Sequence, residues 1–180
     1  MNQYMLIAAA SFFISSTAIC RATLGETEAQ CIAKYGSEFD AQDNLGFDVV
    51  GDKAASFHFK SPAGSFVLNV TFLNGTAALE KITSADPAHD LSEDQKQAIL
   101  NSESTGLPWN KKATTFHTDR SDITSGTQRW LRNDGATAIC WMSGKLTTHL
   151  TWSEIDIATR QYAAAQRNLD QQDGEVVPSS

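Results

Sequence analysis

The sequence is poor in basic charge and in cysteine, and it lacks the short motifs that most enzyme chemistry requires. Of 180 residues, 14 are Lys or Arg against 21 Asp or Glu, a formal net charge of −7. A protein that tracks phosphates needs clustered Lys and Arg. The only adjacent basic pair is Lys111-Lys112, so no nucleic-acid partner is expected. There is no Gly-rich phosphate loop and no Gly-x-Ser-x-Gly elbow. His58, His89, His117 and His149 are too widely separated to pair as metal ligands, and Cys-x-x-Cys is absent. Asp119, Asp122 and Asp134 miss the calcium-loop pattern. Neither a cofactor nor a metal is expected.

Long hydrophobic runs are also missing. Leu6 to Ala10 and Phe12 to Ile14 form an apolar stretch too short and interrupted for a spanning helix. Small residues Ser15, Ser16, Thr17 and Ala18 follow, and no acidic residue precedes Glu26. This reads as a signal peptide over residues 1–22, cleaved after Ala22 (or after Ala18), although its first residues carry no Lys or Arg. The mature chain is expected to begin near Thr23, to be periplasmic or secreted, and to keep no transmembrane segment. A lipid on Cys20 is disfavoured because Ile19 is not small. Cleavage leaves Cys31 and Cys140, too few for a disulfide framework, although an exported compartment permits one bond between them.

What is present suits a core: 41% of residues are hydrophobic, a normal globular value. Thr27-x-x-Gln30 and Ser92-x-x-Gln95 are capping boxes, in which each side chain satisfies an orphan amide of the helix start. The first helix is expected to stop at Gly36 and the second before Gly106-Leu107-Pro108. Ser153-x-x-Asp156 predicts a third helix, with Ile155, Ala158, Tyr162, Ala165 and Leu169 on one face. Between the first two helices the period is two. The turn Ser61 to Gly64 sets Phe59 opposite Phe66 and Phe57 opposite Leu68. The Asn74-Gly75 turn sets Phe72 opposite Ala77 and Val70 opposite Leu79. Phe57, Phe59, Phe66, Leu68, Val70, Phe72 and Leu79 then share a face.

In the second half, Asp134-Gly135 as a two-residue turn sets Trp130 opposite Ile139. Ser143-Gly144 as a second turn sets Trp141 opposite Leu146. Trp130, Ile139, Trp141, Leu146, Leu150 and Trp152 then form a core face. The expected fold is α+β, short helices packed on antiparallel meander sheets, arranged as two stacked helix-plus-four-strand units. One domain spans 23–170, with halves 23–88 and 89–170, followed by a disordered tail at 171–180.

The segment Leu24-Gly25-Glu26-Thr27-Glu28-x-Gln30-Cys31-x-x-Lys34-Tyr35-Gly36 resembles the opening of a group of exported bacterial proteins of unknown function. These have a β-meander with a central Asn-Gly turn, then a Leu-Ser-Glu helix and a Trp beyond it, here Leu91-Ser92-Glu93 and Trp109. More remotely, Gly25-x-Thr27-x-x-Gln30 before a meander is similar to small outer-membrane-assembly lipoproteins and β-lactamase-inhibitor-like proteins. Those families bind other proteins and catalyse nothing, which implies the same for this chain.

One constellation points to chemistry. In the register above, Cys140 lies across from Thr147 with His149 as its diagonal neighbour, and Arg129 lies opposite Cys140 on the adjoining strand. A thiol near an imidazole and a guanidinium is a candidate nucleophile. The plain alternative is an outer sheet face where these residues have no task; the third possibility is a Cys31–Cys140 disulfide. The favoured reading is a non-enzymatic, macromolecule-binding or structural module of the cell envelope, its partner another envelope protein. The competing one is a small cysteine-dependent hydrolase or redox protein using Cys140 and His149.

Overall fold

A computed structural model describes residues 23–42, 50–118, 123–145 and 150–174. The elements in chain order are α1 (Glu28–Tyr35), β1 (Asp40–Gln42), β2 (Lys53–Ser61), β3 (Gly64–Leu73) and β4 (Thr76–Ser84), then α2 (Glu93–Ser102), β5 (Trp109–Thr118), β6 (Ile123–Arg132), β7 (Thr137–Lys145), β8 (Leu150–Ala158) and α3 (Arg160–Gly174). The fold is α+β. The strands form one antiparallel sheet in the order β1-β2-β3-β4-β8-β7-β6-β5. Each half is a helix followed by a four-strand meander, but the halves are not stacked. They join edge to edge where β4 pairs with β8.

Both capping boxes form. The side chains of Thr27 and Ser92 accept from the amides of Gln30 and Gln95, whose side chains reach back to the cap amides. The β2–β3 register is the expected one, with Phe59 opposite Phe66 and Phe57 opposite Leu68. Asn74 and Gly75 both have positive φ, 54° and 76°, the type I′ geometry that matches strand twist. Phe57, Phe66, Leu68, Val70 and Phe72 are at most 2% exposed, each contributing about 1.5–3 kcal/mol of transfer free energy.

Four expectations on strand geometry fail, each for a local reason. A bulge between Thr71 and Phe72 pairs Leu79 with Thr71 and Glu80 with Val70. The extra residue turns Leu79 to the opposite face and sends a carboxylate into the core. The β6–β7 connection is a three-residue loop: the Arg132 amide donates to the Ala136 carbonyl at 2.9 Å, and the Gly135 amide to the Arg132 carbonyl at 2.9 Å. With Gly135 at φ 89°, this is the turn-plus-left-handed-residue form of hairpin. It slips the register by one, so Trp130 faces Ala138 and Trp141 faces Thr127. Ser143 and Gly144 are not a turn but strand residues of β7, paired with Trp152 and Thr151. Finally, Ser153 caps no helix. Residues 153–158 continue β8, with Ser153, Ile155 and Ile157 buried in alternation, and α3 starts at Arg160 behind Thr159, whose hydroxyl accepts from the Tyr162 amide at 3.1 Å. That helix runs to Gly174, so residues 171–174 are not tail.

Two faces result. On one, α1 and α2 bury the sheet through Cys31, Tyr35, Leu91, Ile99 and Leu100. The other face is covered at one end by α3, where Tyr162 packs with Leu79, Ala78 and Ala158. Among the described residues nothing else covers this face. Residues 1–22, Leu146, Thr147, His149, Asp119, Asp122 and the side chains of His117 and Trp152 lie outside the described residues.

Candidate interaction surface

Of the residues singled out as a reactive constellation, Cys140 and Arg129 do not come together, and Thr147 and His149 lie outside the described residues. Cys140 lies opposite Gln128 on β6 and Ile155 on β8, not opposite Arg129 and Thr147. The one-residue slip at the three-residue loop puts Arg129 opposite Ile139, on the other face and exposed. Cys140 points into the helix-side core with no exposed surface, and burial pushes its thiol up to about 11. A thiol so placed is protonated at neutral pH and is no nucleophile. Cys31 belongs to the same core and is pushed up to about 12, again chiefly by burial. Both thiols are free. Among the described residues no three metal-ligating side chains converge, and no helix is long and apolar enough to cross a membrane.

The open face carries a different group of residues, read across the central strands. One row runs Asn69, Lys81, Asp156, Ile139, Arg129; the next runs Val67, Thr83, Glu154, Trp141, Thr127, Thr115. Asp156 and Glu154 stand two residues apart on β8 and therefore point to the same side. They share one cation: Lys81 Nζ is 3.8 Å from Glu154 and 3.9 Å from Asp156. Burial pushes Glu154 up to about 7; the charge of Asp156 and a hydrogen bond between the two carboxyls add to this, and Lys81 opposes it. Among the described residues Lys81 is the one cation within ion-pair distance of the two carboxyls.

Beside the pair stands Trp141. Its indole N–H donates to Asp156 Oδ2 at 3.0 Å, which fixes the ring while 39% of the residue stays exposed. Leu131, on the same face of β6, is 38% exposed. Toward α3 a groove of about 430 Å³ is lined by Leu79, Ile139, Asp156, Tyr162 and Gln166. A rigid, half-exposed Trp next to Arg129 and a desolvated carboxyl pair is the composition of a protein-binding hot spot, in which aromatics and Arg dominate. Sequence reasoning assigned Trp141 to the core; the alternation was read correctly, but from the wrong turn. The pattern Glu154-x-Asp156 on a strand facing Lys81 was a legible signal once residues 153–158 are taken as strand.

No known protein family, curated protein or solved structure matches the chain.

Proposed function

We propose that the protein is an exported, non-enzymatic binding module of the cell envelope that uses the open sheet face to hold another protein. The partner's contact surface would carry an apolar side chain for Trp141 and a Lys or Arg for the Glu154–Asp156 pair. The supporting observation is the held, half-exposed indole beside two carboxyls that share a single lysine. A cation from the partner would settle the charge that Lys81 leaves uncompensated, and such a charge pair chiefly sets specificity and association rate. The excess of acidic residues on the chain favours the same kind of partner. The resemblance of Leu24 to Gly36 to exported proteins, and of its cap to protein-binding families, points the same way.

Copurification from the envelope fraction tests this. Loss of a hot-spot Trp weakens binding by about 2 kcal/mol or more, or roughly thirtyfold. Trp141→Ala and Glu154→Lys should each remove the same copurifying protein, whereas Gln97→Ala, exposed on α2, should not. A partner retained equally by all three variants would refute the role of this face.

A further inference from the structure

Glu80 and Glu103 are the most deeply buried charged groups among the described residues, each at 1% exposure. The bulge in β4 puts Glu80 on the helix-side face, opposite Val70. A carboxylate there requires a counter-charge or a full set of donors. Its Oε1 accepts from the backbone amide of Thr23 at 2.9 Å, a contact between residues 57 positions apart and itself buried. Thr23 has no exposed surface. It is held in place from the residues that follow: Gly25 donates to the Ala77 carbonyl at 2.8 Å and Ala77 donates to Glu26 at 2.8 Å.

Among the described residues the surroundings of Glu80 are short of positive charge. Glu103, at the C-cap of α2, hydrogen-bonds to it and is itself pushed up, by burial first and by Glu80 second. Glu26 and the Cys31 thiol face it from the N-terminal segment and α1. Lys34 of α1 and Arg132 of β6 are the nearby cations; Lys34 is bound to Glu26 at 3.2 Å and Arg132 to Asp134 at 2.8 Å. Thr23 Oγ1 and Glu103 Oε2 are buried with no hydrogen-bond partner among the described residues. Among the described residues the site holds acceptors in excess: the Thr23 amide donates to Glu80, and one further proton is shared between the Glu80 and Glu103 carboxyls.

We infer that Thr23 becomes the N-terminal residue of the working protein and that its α-ammonium group is the buried counter-ion of Glu80. The inference rests on the export reading, which places the leader cut after Ala22 on sequence grounds alone. Water adds across the Ala22–Thr23 peptide bond: the hydroxyl goes to the Ala22 carbonyl, and the Thr23 nitrogen, now an amine, takes up a second proton from the water and a third from solvent. The one-proton neutral donor at 2.9 Å from Glu80 is replaced by a three-proton cation in the same place. Cleavage thus completes the core, and the chain reaches its full stability only after processing.

The test uses the exported protein. Its N-terminus is sequenced, and its α-amine is then labelled near pH 7 with an amine reagent and followed on the N-terminal peptide. An ammonium paired with a buried carboxylate has a raised pKa, and each unit of rise cuts the reactive neutral form about tenfold. The expected result is an N-terminal Thr23 that labels at least about tenfold more slowly in the native protein than in urea, with fast labelling restored in Glu80→Gln. If that variant does not fold, the pH profile of labelling in the unaltered protein decides, with an apparent pKa well above the free α-amino value of about 8 expected. An N-terminal Thr23 that labels like a free amine, natively and at all pH values, would overturn the counter-ion assignment. An N-terminus at another residue would overturn the inference at its export premise, which the sequencing reads separately.

Discussion

At the scale of the residue, the decisive variable is which face a side chain occupies. Cys140 and Trp141 are neighbours in sequence, and a one-residue change in the preceding loop exchanges their environments. Cys140, with no exposed surface and a thiol pushed up to about 11, is expected to resist iodoacetamide in the folded protein at neutral pH. Cys31, pushed up to about 12, should do the same, and both should alkylate in urea without prior reduction. Rapid labelling of Cys140 in the native state would revive a cysteine-dependent activity. Trp130 and Trp141 should part company under mutation. Trp130, 8% exposed, sits in the helix-side core, so Trp130→Ala should cost about 3–5 kcal/mol in urea unfolding. Trp141→Ala, on the open face, should cost less than about 1 kcal/mol. Equal losses would mean that both indoles are buried.

At the scale of the element, two of the three helix starts were readable, and strand connections were only partly so. A capping box is a local device: Thr27 with Gln30, and Ser92 with Gln95, satisfy amides within one turn, and the four residues involved carry the whole signal. Thr27→Ala and Ser92→Ala should each lower stability by about 1 kcal/mol, read as a shift in the urea midpoint at constant slope. The Asn74-Gly75 turn was equally legible, yet the bulge that follows it was not, because nothing in Ala77-Ala78-Leu79 distinguishes a bulge from regular pairing. What selects the bulge is tertiary: it lets Glu80 reach Thr23 and Leu79 reach α3. The Asp134-Gly135 turn fits a two- or a three-residue loop. Arg132 decides it, by donating to the Glu103 carbonyl at the C-cap of α2 and to Asp134. Ser153-x-x-Asp156 satisfied the helix-start pattern, but Ser153, Ile155 and Ile157 are buried in alternation with Glu154 and Asp156, and pairing with β4 and β7 overrides the local preference.

At the scale of the whole molecule, the apolar inventory of the first half was legible almost residue by residue, since hairpins with short turns transmit register directly. The second half was not, because one loop length decided the orientation of every following strand. The joining of both meanders through β4 and β8 had no local signature at all. The candidate surface inherited this difficulty, since it is made of side chains that only the long-range pairing brings into two rows. Its electrostatics have a measurable consequence. Glu154 rises from 4.5 to about 7 on folding, so its contribution to stability is fully present below about pH 4.5 and is lost as pH rises through 7. The unaltered protein should lose about 3 kcal/mol between pH 4.5 and about pH 8 through this group. Glu154→Gln, followed by urea unfolding across the same range, should remove that part of the slope.

The face assignment is tested most directly by hydroxyl-radical footprinting of the protein, alone and in envelope extract. Trp141 and Leu131 on the open face, and Ile32 and Leu107 on α1 and after α2, are all between 37% and 39% exposed, so all four should oxidise in the isolated protein. In the extract, Trp141 and Leu131 should be protected while Ile32 and Leu107 oxidise as before. Protection of Ile32 and Leu107 with Trp141 still fully reactive would place the partner on the helix side and contradict the open face as the binding surface.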